Sequence, residues 1–275
     1  MEQDIRFCTT TDGVRIAYAT IGSGPPLVYV CGWPQSIDLE LDIPNSRAFL
    51  EDLAEGFMLA RYDMRGGGLS DRDVENISPE VSALDLAAVV DHLQLDTFDI
   101  ASFGLLAGPI AMIYAAQHPE RVSHMVLVAP YLNGEKIIEP ERGRALVEYA
   151  KNFGFPFNDV VSEPFLTRDE VNEVKRLQSA AAGPEVQAKL LAAMFSANVE
   201  DIVAQIATPT LVIHSRQDPY IPFELGREVA LRLPNAEFVT FDSTSPATWQ
   251  QRSVVIPELR RFVNRDNEDH QHGAN

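Results

Sequence analysis

The sequence has 275 residues, 45% of them apolar, enough for one large α/β domain or for a domain carrying an inserted cap. Its 22 basic and 40 acidic residues leave a formal charge of −18, which repels nucleic acid and anionic membranes. It holds no apolar run of the roughly 20 residues needed to span a bilayer, and its two cysteines, Cys8 and Cys31, indicate no disulfide framework.

In chain order, residues 1–60 read as strands. Met1-Glu2-Gln3-Asp4 lacks the basic region and apolar core of a secretory signal, so a cytoplasmic protein is expected. Asp12-Gly13 supports a hairpin turn between Phe7-Thr10 and Arg15-Thr20. A Gly/Pro loop at 22–26 leads into the apolar strand Leu27-Val28-Tyr29-Val30, and Phe57 to Arg61 forms another. Ser78-Pro79-Glu80 starts a helix: a Ser cap, Pro at the first position and an acid at the positive end of the dipole. Its Val81, Leu84 and Ala88 lie at helical spacing and are expected to face the sheet. Phe98-Asp99-Ile100-Ala101 reads as a buried strand, Leu106 to Gln117 as the helix after it, and Val122 to Ala129 as the next strand. Thr210 to His214 and Glu237 to Phe241 are the last two strands, with helices at Phe223 to Leu233 and Val254 to Val263. Strands alternating with helices predict a mostly parallel twisted sheet covered on both faces.

Residues 131–205 break that rhythm. Arg142 to Phe153, Arg168 to Ser179 and Pro184 to Phe195 are helical, separated by Gly154, Pro156, Pro164 and Gly183-Pro184. The expected organisation is a core of 1–130 and 206–263, a helical cap at 131–205, and a polar, disordered tail at 264–275.

Several short motifs fall in a telling order. They are Gly22-Ser23-Gly24-Pro25-Pro26-Leu27-Val28, Cys31-Gly32-Trp33-Pro34, and Arg61-Tyr62-Asp63-Met64-Arg65-Gly66-Gly67-Gly68-Leu69-Ser70. Gly108-Pro109-Ile110-Ala111, His118-Pro119-Glu120-Arg121-Val122 and the stretch from His214 to Pro222 follow. Together they resemble the α/β-hydrolase superfamily, of the AB hydrolase-1 type, over nearly the whole chain. The chain is similar to hydrolase-like domains found alone or joined to bacterial cyclases and transcriptional regulators. The resemblance implies an oxyanion loop at 31–34, with Cys31 where His is usual, and a triad acid at Asp218. It also implies a strand-to-helix elbow of the form G-x-S-x-G. In this chain the elbow reads Ser102-Phe103-Gly104-Leu105-Leu106-Ala107-Gly108. Counting from the strand puts the nucleophile slot at Gly104, and counting back from His118-Pro119 puts it at Leu105; neither side chain can attack a carbonyl. The His segment after the last strand is Asp242 to Ala247, with Ser245 near the slot and no His.

Acyl transfer needs a nucleophile, a base, an orienting acid and oxyanion donors; of the triad side chains only the acid is retained, while the backbone N–H groups of Gly32 and Trp33 are expected to survive as donors to an oxygen atom. The expectation is therefore a degenerate triad over a pocket for an apolar or carbonyl-bearing small molecule. Cys31, Gly32 and Trp33 would come from the loop, Phe103, Gly104 and Leu105 from the elbow, and Tyr131 from above, with cap aromatics Phe153, Phe155, Phe157, Phe165 and Phe195 around them. A sensor, or an enzyme working without Ser-His-Asp chemistry, would fit. Two alternatives remain open. One is a hydrolase using Ser102, in Ala101-Ser102-Phe103-Gly104, as an unconventional nucleophile; the other is a non-enzymatic regulatory partner protein. Without a His to orient, Asp218 is expected to brace its own loop, as Asp63 and Arg65 are expected to hold the Gly-rich turn. Cys31 reads as a buried structural thiol. Among His92, His118, His124, His214, His270 and His272 no spacing suits a metal, so neither metal nor cofactor is expected. A homodimer stays open.

Overall fold

The computed structural model describes residues 3–155, 167–245 and 247–265. Phe157, Phe165, His270, His272 and the tail from residue 266 lie outside them. The hairpin forms around Asp12-Gly13 as β1 (Asp4–Thr9) and β2 (Arg15–Gly22), paired antiparallel from Asp4↔Thr20 to Thr9↔Arg15. The remaining apolar runs become β3 (Pro26–Cys31), β4 (Met58–Tyr62), β5 (Phe98–Phe103), β6 (Val122–Val128), β7 (Thr210–Ser215) and β8 (Ala236–Phe241). They join one eight-stranded sheet in the order β1-β2-β4-β3-β5-β6-β7-β8. β2 runs antiparallel to β4, and every pair from β4 to β8 is parallel.

Both faces of the sheet are packed. Phe98 and Ile100 of β5 share one core with Val28, Val30, Leu86 and Leu127, while Ala101 and Phe103 share the other with Tyr29, Phe49, Leu53 and Leu259. This period-2 split, with all six residues of β5 buried, marks a central strand of a parallel sheet.

Two expectations change. The stretch before residue 60 is not all strand: α1 (Pro44–Ala54) starts on Pro44 and buries Phe49, Leu50 and Leu53. In α2 (Pro79–His92), Ser78 occupies the cap position without a side-chain capping bond. The buried stripe of α2 is Ala83, Leu86 and Val90 with Asp85, while Val81, Leu84 and Ala88 sit on its half-buried flank. The helix is apolar on most sides, so spacing alone did not single out a face; Asp85 turns inward because Arg65 is there to meet it.

α3 (Ala107–Gln117) follows β5. Between β6 and β7 lie α4 (Pro140–Phe153), α5 (Arg168–Ala181) and α6 (Pro184–Ser196), and among the described residues this stretch has no strand beyond one bridge, Asn133↔Asn198. α5 opens with a reciprocal capping box of Thr167 and Glu170. α7 (Phe223–Arg232) and α8 (Arg252–Val263) complete the layers. No described helix is long and apolar enough to cross a membrane.

The Gly-rich turn after β4 is fixed from below. Asp63 accepts the Ile37 N–H at 2.9 Å and the Leu69 N–H at 2.8 Å. Arg65 donates to Asp85 at 2.8 Å and to Asp12 at 2.7 and 3.1 Å, joining α2, the turn and the β1–β2 hairpin. Hydrogen bonding from Arg65 holds the Asp12 carboxyl down at about 2. Its folded value is depressed, so this contribution is full above the ordinary carboxylate range and disappears as pH falls through about 2. Asp12 is partly solvated, which reduces the effect to about 1 kcal/mol. Asp12→Asn is expected to lower unfolding stability by that amount at pH 7 and by nothing measurable at pH 2, read from urea denaturation at the two pH values.

Candidate functional site

The elbow is present and its apex is glycine. β5 ends at Phe103, Gly104 turns with φ at +91°, and α3 begins at Ala107. Of the two candidate slots, Gly104 therefore carries the left-handed backbone that lifts a nucleophile side chain in such turns, and Leu105 follows it into the core. The place of that side chain is taken. A Cβ built on Gly104 would lie 2.3 Å from Trp33 Cδ1 and 2.5 Å from Trp33 Nε1. The 31–34 loop can lie this close because residue 32 is also glycine, where a Cβ would sit 2.4 Å from the Leu106 nitrogen. The Gly32 N–H donates to the Phe103 carbonyl at 2.9 Å. Above the apex the Trp33 ring meets Phe155 at 5.2 Å and Tyr220 at 5.6 Å between centroids.

Asp218 follows β7 and is half-buried. One of its carboxylate oxygens accepts the Tyr220 N–H at 2.8 Å and the Ile221 N–H at 2.9 Å. Burial pushes its pKa up, against those two N–H groups and the nearby His214. His214 ends β7 fully buried. Its Nε2 donates to the Ile221 carbonyl at 3.1 Å, and Nδ1 has no hydrogen-bond partner. The ring lies so close to α7 that a Cβ on Gly226 would be 1.9 Å from Nδ1. Burial pushes the His214 pKa down, against the nearby Asp218 and the bond to Ile221.

The cavity over the apex has a volume of about 30 Å³, space for little more than a water molecule. Of the expected residues, Trp33, Gly104, Leu105 and Asp218 meet there. Cys31, Gly32, Ser102, Phe103, Tyr131 and Ser245 do not line it. Ser102 is 1% exposed, and its hydroxyl has no hydrogen-bond partner. It pairs with Val30 and Leu127 on the Ile100 side of β5, so no base reaches it. Phe103 packs on Tyr29 and Phe49 in the opposite core. Tyr131 is buried with its hydroxyl donating to the Met194 carbonyl at 3.2 Å. Ser245 accepts the Ala247 N–H on its hydroxyl at 3.1 Å and the Gln251 amide on its carbonyl at 2.6 Å. Burial raises the Cys31 thiol to about 12, which leaves it inert; the Trp33 N–H acts against that shift, so it bears on sulfur rather than on the cavity. Gln251, Tyr220, Ile221, Val128 and Ala129 complete the lining. Ala129 carries a left-handed φ of 51°. Tyr220 and Ile221 belong to the acid-loop motif, while no sequence signal marked Gln251, Val128 or Ala129 for the site. Among the described residues no group of His, Cys, Asp or Glu could hold a metal ion.

A family model described as the alpha/beta hydrolase fold matches residues 25–160, just under half the chain. The chain is 25% identical to an AB hydrolase superfamily protein of Bacillus subtilis, over 94% of this chain and 98% of that protein. It is 27% identical to a non-heme chloroperoxidase of Streptomyces lividans, over 93% and 98%. Among solved structures, an esterase from Exiguobacterium antarcticum superposes with a TM-score of 0.81 at 22% identity, covering 94% of this chain and 98% of that one. The chain is an α/β-hydrolase-fold protein.

In an α/β-hydrolase the elbow, the acid loop and the loop after the last strand bring nucleophile, acid and base together. Here they bring together Gly104, Asp218 and Gln251. Among the described lining residues no serine, cysteine or histidine is present, and the only hydroxyl is the Tyr220 phenol. The Leu105 N–H, with no acceptor among the described residues, remains as one oxyanion donor.

Gly104→Ser meets two penalties, a left-handed φ costing about 1 kcal/mol and displacement of the Trp33 ring costing about 2 kcal/mol more. In a Trp33→Ala background only the first is expected to remain. Urea denaturation of the four proteins of this cycle reads the difference as a coupling energy of about 2 kcal/mol.

Proposed function

We propose that this α/β-hydrolase-fold protein binds a small molecule beneath the α4–α6 segment without hydrolysing it through a covalent serine intermediate. The observation that carries the reading is Gly104 at the elbow apex, with the Trp33 indole in the space of the missing side chain. Two further observations support it: the loop after β8 supplies Gln251 rather than His, and His214 is buried and bonded to the Ile221 carbonyl. A site stripped of both nucleophile and base retains only the small residual acceleration of its oxyanion donors and binding contacts.

A second reading draws on the relatives. Several carry esterase or peroxidase names, including a bifunctional esterase/perhydrolase of Acinetobacter calcoaceticus at 26% identity. They favour a working serine hydrolase, for which Ser102 is the candidate in the elbow. Incubation with a broad fluorophosphonate probe, followed by intact mass and peptide mapping, separates the two. The expected result is no adduct beside a fully labelled control esterase. A stoichiometric adduct on Ser102, abolished by Ser102→Ala, would replace the first reading by the second.

A further inference from the structure

We infer that the ligand of this pocket is a planar aromatic compound, and that the Trp33 indole is an internal occupant which it displaces. The inference rests on the reading that the pocket binds a small molecule. A cavity of about 30 Å³ admits no such molecule unless part of its wall moves. Gly104 and Leu105 form the turn from β5 into α3, Val128 ends β6 and Ala129 follows it, and Ile221 is tied to Asp218 by its N–H. Trp33 is half-buried, as Asp218 and Tyr220 are, and its indole is the side chain that fills the space over the Gly104 apex.

The shape left by a displaced indole defines the guest. Phe155, with its ring centroid 5.2 Å from that of Trp33, and Tyr220, at 5.6 Å, both lie against the indole at tilted angles of 54° and 59°. The floor is Gly104, from which no side chain projects. Two aromatic walls over a bare backbone floor fit a flat ring and leave poor packing for a puckered aliphatic one. At the edge of the slot the Leu105 N–H can donate to a ring carbonyl or ring nitrogen, and Asp218 or Gln251 can accept an N–H. Trp33 already holds this position, so the affinity of any guest is reduced by the fraction of time the indole occupies the slot.

The test uses indole and acetophenone as planar probes and cyclohexyl methyl ketone as the saturated counterpart. The protein has two tryptophans, so its indole N–H signals in ¹⁵N NMR are assigned by Trp249→Phe. The planar probes are expected to move the Trp33 signal saturably and leave that of Trp249 in place, with cyclohexyl methyl ketone at least ten-fold weaker. Trp33→Ala, which empties the slot, is expected to bind indole at least ten-fold tighter. Should that variant fail to fold, the wild-type titration decides alone. Equal binding of the saturated ketone overturns the aromatic class while leaving the pocket reading intact. Binding that leaves the Trp33 signal unmoved overturns the displacement. Silence from every probe overturns both inferences made here, whereas only a serine adduct in the fluorophosphonate experiment overturns the reading beneath them.

Discussion

The left-handed backbone at Gly104, with an indole lying on it, governs what this molecule can do. A strand that must turn sharply into a helix needs a positive φ at the apex, and a side chain held there is strained by roughly 1–3 kcal/mol. Glycine adopts the same turn without that strain. Once the apex has no side chain, the neighbouring loop can settle on it. Gly32 lets that loop approach the elbow, Trp33 lies over the apex, and Phe155 and Tyr220 close around the ring. The cavity shrinks to about the size of a water molecule as a direct consequence.

Asp218 has a task in the fold that needs no catalytic partner. Asp218 organises its own loop by accepting two backbone N–H groups, a task that needs a carboxylate whether or not a catalytic histidine is near. Asp63 does the same for the Gly-rich turn, and Arg65 locks that turn to Asp12 and Asp85. These carboxylates therefore have structural work to do, and their presence alone does not decide for or against catalysis. The relatives with enzymatic names share the scaffold, but function resides in the site rather than in the fold.

Much of the scaffold was legible in the sequence, because period-2 apolar runs, Asp12-Gly13, Pro79 and the Gly-rich turn are local signals. α1 was missed because its apolar residues are few and follow a run of strands. The inward face of α2 was misread because Asp85, a polar residue, is drawn in by a partner twenty positions away. At the site, the choice between Gly104 and Leu105 was not legible by motif. A one-residue insertion left the two counts unequal, and only the backbone angle decides between them. The resting place of Trp33 and the arrival of Gln251 depend on contacts between segments more than 70 and 30 residues apart, for which a linear sequence has no signal. Phe103 and Tyr131 were expected in the pocket by proximity to the elbow, yet strand alternation sends Phe103 to the opposite core and a carbonyl of α6 holds the Tyr131 hydroxyl.

The central claim is that no side chain of this chain forms an acyl intermediate at the elbow. Stopped-flow mixing of the protein with excess p-nitrophenyl acetate measures that directly, because an acylating nucleophile releases one equivalent of p-nitrophenol before steady state. The account predicts a flat trace at the background hydrolysis rate. A burst approaching one equivalent per chain would contradict it.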